Sequence, residues 1–96
     1  MGNLRLVVLD VLKPHNPSIL ELSSTISDLK GIDGVDISVY EIDSKVENVK
    51  VTILGENIDY IKVRATIEDL GASVHSIDKV SSGRQIVEEA QTHQDA

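Results

Sequence analysis

The feature that most constrains the fold of this chain is an internal repeat in the order of its predicted strands and helices. The sequence reads as strand, helix, strand, and then as strand, helix, strand again. The first helix closes with Asp28-Leu29-Lys30-Gly31 and its following strand ends in Ile42-Asp43; the second closes with Asp69-Leu70-Gly71 and its strand ends in Ile77-Asp78. Glycine in these places is typical of helix C-termini, because it adopts the left-handed conformation without steric cost. This repeat predicts two βαβ units.

Hydrophobic periodicity predicts the individual elements. The first strand, Leu4 to Lys13, is apolar on both faces, which indicates a central strand. One face holds Val7, Leu9 and Val11; the other holds Leu4, Leu6, Val8 and Leu12, interrupted by Asp10. Helical spacing marks two buried stripes: Ile19, Leu22, Ile26, Leu29 and Tyr60, Val63, Ile67, Leu70. Asn16 is predicted to cap the first helix, and Asn57 or Asp59 the second.

Two right-handed βαβ units joined by a hairpin predict an α+β, ferredoxin-like βαββαβ sandwich, with a four-stranded antiparallel sheet and both helices on one face. We expect the domain to span residues 1–84 and residues 85–96 to form a polar, acidic tail, either a short helix or frayed. The other sheet face would then expose aliphatic side chains of the first strand, so we expect a homo-oligomer that covers it. The alternative cover is the tail, whose polarity suits it poorly.

Composition excludes several classes of function. The 96 residues contain no Cys, so disulfides, thiolate zinc sites and Cys nucleophiles are excluded. A net charge of −7 disfavours nucleic-acid binding, because an acidic surface repels phosphates. The sequence shows no apolar run long enough for a membrane span and no signal-peptide pattern, so we expect a cytoplasmic protein without a membrane partner.

No catalytic motif known for this topology is present. The central strands lack the aromatic residues on which RNA-binding domains stack bases, and the chain lacks a metallochaperone Cys pair. The loop Lys13–Pro17 has no glycine-rich turn and no Arg, unlike a phosphate cradle of the acylphosphatase type. GxGxxG and P-loop patterns are also absent.

Two groups of polar residues remain as candidate sites. Because the first and last strands should be antiparallel neighbours, Asp10 and His15 could approach His75 and Asp78, and imidazole with carboxylate could bind a divalent metal or a proton. Alternatively, Asp10 pairs with a Lys or His across the strands. The second group is the acidic hairpin: Glu41, Asp43 and Glu47. Its oxygens suit calcium or magnesium, although a solvated turn explains the same residues.

Three stretches resemble a small archaeal family of unknown function, DUF211. They are the stretches at 9–15 (Leu-Asp-Val-Leu-Lys-Pro-His), 31–35 (Gly-Ile-Asp-Gly-Val) and 70–78 (Leu-Gly-Ala-Ser-Val-His-Ser-Ile-Asp). The similarity covers about residues 4–84 and leaves out the tail after Arg84. The resemblance implies a compact ferredoxin-like protein assembled as a symmetric homo-oligomer, and it supplies no catalytic residues.

The sequence therefore favours an oligomeric binding or regulatory module over an enzyme. A small ligand or a divalent cation, calcium or magnesium, would bind between subunits. One alternative is a protein-interaction subunit that recruits partners through the acidic hairpin or the tail. Another is a metal-dependent enzyme that uses Asp10, His15 and His75, which would require these side chains to converge.

Overall fold

The chain, described over residues 2–89 by a computed structural model, alternates strands and helices in the predicted order. The elements are β1 (Leu4–Pro14), α1 (Ile19–Ser27), β2 (Ile32–Ile42), β3 (Val46–Gly55), α2 (Tyr60–Asp69) and β4 (Ser73–Ser82). The strands form one sheet in the order β2-β3-β1-β4, with every neighbouring pair antiparallel. This is the ferredoxin-like α+β fold, as predicted. β1 and β3 are central, and β2 and β4 are the edges.

One aliphatic core lies between the sheet and the helices. β1 and β3 contribute residues at every second position, and each helix contributes two fully buried residues of its predicted stripe. These side chains are Val7, Leu9, Val11, Val49, Val51, Ile53, Leu22, Ile26, Val63 and Ile67. The other four stripe residues, Ile19, Leu29, Tyr60 and Leu70, are partly buried against this core. The alternation identified the inward face of β3, whereas both faces of β1 are apolar and the sequence left the choice open; the structure places Val7, Leu9 and Val11 inward.

One of the two predicted helix N-caps is confirmed and the other is wrong. Asp59 caps α2 by accepting a hydrogen bond from the Lys62 amide at 3.2 Å, as predicted. The prediction of Asn16 for α1 was wrong, because Ser18 accepts from the Glu21 amide at 3.3 Å. Ser18 has extended backbone angles and lies directly before the first helical residue, whereas Pro17 separates Asn16 from that position.

The sheet face opposite the helices exposes less aliphatic surface on β1 than predicted. We call it the open face; on β1 it carries Leu6, Val8, Asp10 and Leu12. A register shift between Leu4 and Leu6 turns Leu4 toward the core instead. Leu6 and Val8 are each only 8% exposed, so the expected large aliphatic patch is absent there. The β3 residues opposite these four are Leu54, Thr52, Lys50 and Asn48.

The beginning of the tail is attached to the domain. Arg5 donates from Nη1 to the carbonyls of Gly83 and Arg84, at 3.3 and 2.7 Å. Residues 84–89 form neither helix nor strand, and the remainder of the predicted tail, 90–96, lies outside the described residues. Neither α1 nor α2 is long and apolar enough to cross a bilayer, in a search limited to residues 2–89.

Candidate functional site

The open face has a polar centre at Asp10, an acidic residue on an otherwise apolar strand. Its opposite residues are Lys50 on β3 and Ser76 on β4. Within residues 2–89 the Asp10 carboxylate forms no ion pair with Lys50 or a histidine, and it accepts a hydrogen bond from the hydroxyl of Tyr40. Tyr40 belongs to β2, so its side chain crosses β3 to reach β1. This hydrogen bond satisfies one acceptor of a group that would be costly to leave unpaired.

Tyr40 lies on the open face by the alternation of β2, because Asp36 and Ser38, four and two residues before it, are opposite Thr52 and Lys50. The register shifts between Val39 and Glu41, so Tyr40 is an additional residue in β2. The hydrogen bond to Asp10 is the main cause that raises the pKa of the Tyr40 phenol, and burial and the negative charges of Asp10 and Asp78 act in the same direction.

Asp78 lies on this face two residues after Ser76, which is opposite Asp10. The β1–β4 register shifts between Val8 and Leu9, which leaves Asp78 without an opposite residue. Ser76 donates from Oγ to Asp78 Oδ1 at 2.7 Å. Asp10 and Asp78, two of the four residues predicted for this site, thus share the open face with Tyr40. The arrangement offers carboxylate and phenol oxygens, which suit a hard cation or a hydrogen-bonding ligand.

His15 belongs to a different cluster, at the end of β1. Its Nδ1 lies 3.0 Å from Glu47 Oε2, and the Nζ of Lys13 lies 2.9 Å from Glu47 Oε1. The hydrogen bond to Glu47 raises the pKa of His15, and backbone hydrogen bonds to Ser44 and Asp43 add to this effect. The hydrogen bonds from His15 and then Lys13 lower the pKa of Glu47.

The three acidic residues of the hairpin serve separate local roles. Asp43 Oδ1 accepts from the amides of Lys45 and Val46, both at 2.8 Å, and these bonds lower the pKa of its carboxyl group. Asp43 therefore shapes the turn. Glu47 belongs to the Lys13 cluster, and Glu41 is exposed on β2 opposite Asn48.

His75 is exposed on β4, where the register shifts between its neighbours Val74 and Ser76. Across residues 2–89, no group of three or more His, Asp or Glu side chains is arranged so that it could hold a metal ion. A single subunit therefore does not gather Asp10, His15 and His75 into the centre required by the enzyme alternative, nor Glu41, Asp43 and Glu47 into a cation site.

Sequence reasoning missed Tyr40 as a site residue. The alternation places Tyr40 on the outward face of β2 with Asp36 and Ser38, which is the open face, but it does not show that the side chain reaches across β3 to Asp10. The available clue was Asp10 itself, since a carboxylate on an apolar strand needs a donor.

The family model of DUF211, described as "Uncharacterized ArCR", matches residues 5–96, so the match includes the tail that the resemblance above left out. An uncharacterized protein of the archaeon Methanocaldococcus jannaschii is 50% identical over 95 residues, which cover 99% of this chain and 98% of that relative. The chain belongs to the DUF211 family.

Proposed function

We propose that this chain is a non-enzymatic, homo-oligomeric binding module that binds a small ligand or a divalent cation between subunits. The observation that supports this proposal is the Tyr40–Asp10 hydrogen bond on the open face, which Asp78 of the edge strand β4 shares. The hydroxyl donors Tyr40 and Ser76 leave the negative charges of the two carboxylates in place, so a bound cation or a cationic group of a partner chain would be attracted to this face.

The set of oxygen ligands is incomplete within one subunit. Calcium takes six to eight oxygen ligands and magnesium six. Asp10, Asp78 and the Tyr40 hydroxyl provide too few, and residues 2–89 contain no larger acidic group. A second copy that brings its own open face to this one doubles the number of carboxylates, and the binding site would then lie between the subunits.

The two edge strands favour self-association. Among the residues that the structure describes, β2 and β4 have no neighbouring strand on their outer sides. Each carries exposed aliphatic side chains: Val39 and Ile42 on β2, and Ile77 and Val80 on β4. Unpaired strand edges with exposed apolar residues are the surfaces that add strands from another chain. Subunits could therefore join edge to edge or face to face.

Native mass spectrometry of the untagged full chain tests both parts of this proposal. We expect a discrete oligomer that retains additional mass when calcium or magnesium is added and loses it when EDTA is added. Asp10→Asn and Asp78→Asn should reduce the retained mass, because each removes a ligand charge. Asp69→Asn at the exposed end of α2 is the matched control and should retain it.

A bare monomer in all of these spectra would refute the proposal. Retained mass that is equal in the Asp10→Asn variant and in the Asp69→Asn control would refute the assignment of the site.

A further inference from the structure

Four exposed aliphatic side chains lie at the two edges of the sheet: Val39 and Ile42 on β2, and Ile77 and Val80 on β4. The strand register places all four on the helix side of the sheet, in line with the buried side chains of the central strands. Their exposed fractions run from 36% to 64%. The aliphatic core therefore extends to both edges and ends there in apolar side chains that contact solvent.

The sequences of the two edge strands do little to prevent pairing with another chain. Strand edges are commonly protected by Pro, by Lys or by being very short. β2 spans 11 residues and contains neither Pro nor Lys, and β4 spans 10 residues with Lys79 and no Pro. The outer backbone groups of both strands are therefore suited to pair with a strand of another molecule.

The two edges differ in charge. β2 carries three exposed carboxylates and no cationic side chain: Asp33, Asp36 and Glu41. β4 carries one charge of each sign, Asp78 and Lys79, and is formally neutral. Two β2 edges brought together would oppose their carboxylates, whereas β2 beside β4 avoids that repulsion. The charges therefore favour the pairing of unlike edges.

The directions of the strands suit such a pairing. β2 and β4 run in opposite directions, because every neighbouring pair in the order β2-β3-β1-β4 is antiparallel. A second copy that is translated along the sheet therefore presents its β2 antiparallel to β4 of the first, with the helices of both copies on the same side. Pairing β4 with β4 would instead leave Val39 and Ile42 of both copies exposed.

We propose that copies of this chain assemble head to tail, with β4 of one copy paired antiparallel with β2 of the next. This joint covers the four aliphatic side chains of the two edges. Because the edges are different, each added copy leaves one β2 and one β4 unpaired, and a discrete assembly forms only when a ring closes. The proposal rests on the proposed function, since it specifies how the subunits of the binding module meet.

The joint makes the open face continuous from one copy to the next. Asp36 and Glu41 lie on this face of β2, opposite Thr52 and Asn48. Asp78 lies on the same face at the other edge of the sheet. A head-to-tail joint therefore brings the carboxylates of β2 and of β4 from two different chains onto one surface, as a binding site between subunits requires.

Two variants that each block one edge test the joint. Ile42→Lys places a cation on β2 and Val80→Lys places one on β4, at positions that are 64% and 58% exposed. Native mass spectrometry of the full chain should show an oligomer larger than a dimer, and each variant alone should be a monomer. An equimolar mixture of the two variants should form a heterodimer, because the first retains an intact β4 edge and the second an intact β2 edge.

Leu54→Lys is the matched control, because Leu54 is 43% exposed on the open face of the central strand β3. The oligomer should persist in this variant, and its loss would indicate face-to-face assembly and overturn the joint. Amide spectra of each variant establish that it is folded. A dimer of the unchanged chain, a dimer of either edge variant alone, or a mixture of folded edge variants that stays monomeric would also overturn the joint.

The joint and the proposed function fail in different ways. An oligomer that retains calcium or magnesium but persists in both edge variants refutes the joint and leaves the binding module. A head-to-tail oligomer that retains no additional mass refutes the binding module and leaves the joint. A bare monomer of the unchanged chain refutes both.

Discussion

Lys13 and Glu47 form an ion pair at the end of β1, with 2.9 Å between Nζ and Oε1 and only 1% of the lysine side chain exposed. Nζ also donates to the carbonyls of Pro14 and His15, at 2.8 and 3.5 Å. An ammonium group has three hydrogens, so all of its donors have partners. Glu47 supplies the negative charge without which this lysine would be an unpaired buried cation.

The ion pair between Lys13 and Glu47 predicts which of two substitutions destabilises the fold more. We expect Glu47→Gln to lower the free energy of unfolding more than Lys13→Met does. The first change leaves a buried ammonium group without its counter-charge, whereas the second removes the buried charge and leaves Glu47 paired with His15. Urea denaturation, with midpoints and slopes compared, provides the measurement.

Lys62→Met, at an exposed position on α2, serves as the control for the loss of a lysine and should change stability little. Equal stability of the Glu47→Gln and Lys13→Met variants would mean that the charge of Glu47 is not needed to keep Lys13 buried.

The pKa of His15 should lie above its ordinary value of 6.5, because the Glu47 carboxylate accepts a hydrogen bond from the imidazolium. A raised pKa in the folded state contributes stability that is fully present below the unfolded-state value and is lost as the pH rises through the folded-state value. The stability difference between the unchanged chain and His15→Gln should therefore shrink across that interval.

NMR titration of the imidazole protons checks the pKa directly. Glu47→Gln should return the pKa of His15 toward its ordinary value, because the largest cause of the shift is removed. An unchanged His15 pKa in that variant would show that the backbone carbonyls near the turn, rather than Glu47, hold the proton.

The fold was predictable because burial imposes regular periods on the sequence. Val49, Val51 and Ile53 alternate with polar residues, and each inward residue of this set is fully buried. The stripe residues Leu22 and Ile26 show the helical period in the same way. Register, by contrast, depends on pairing between strands distant in sequence, and the period does not reveal where an additional residue enters a strand.

The candidate site was predicted only in part for that reason. Asp10 and Asp78 were identified from their chemistry, and they do share the open face. Tyr40 was missed because its hydrogen bond with Asp10 reaches across β3, and the alternation within one strand does not reveal such a contact. His15 was expected near Asp10, but it lies beyond the end of β1, where the buried Lys13 and Glu47 determine its partner.

The phenol of Tyr40 should ionise above its ordinary pKa of 10, because the neutral hydroxyl donates to Asp10 and the phenolate would face that carboxylate. Absorbance of tyrosinate during an alkaline titration measures this, and Tyr60→Phe isolates the signal, since the chain has only two tyrosines. Adding Asp10→Asn should lower the Tyr40 pKa. A pKa that is the same with and without Asp10→Asn would contradict the hydrogen bond.

Gly55 at the end of β3 should tolerate no side chain. A Cβ built at this position would lie 2.1 Å from the Gly31 carbonyl oxygen and 2.9 Å from Ile58 Cγ1. The first obstacle is backbone that ends α1 and the second is a core side chain, so neither can move away cheaply. We expect Gly55→Ala to lower the free energy of unfolding by at least ~2 kcal/mol.

Gly34→Ala on β2 is the matched control, because a Cβ there meets no atom within 4 Å. It should change the free energy of unfolding by less than ~1 kcal/mol. Urea denaturation of both variants measures the contrast. If Gly55→Ala were as stable as Gly34→Ala, the close approach of β3 to the end of α1 would be wrong, and so would the packing that fixes one end of the open face.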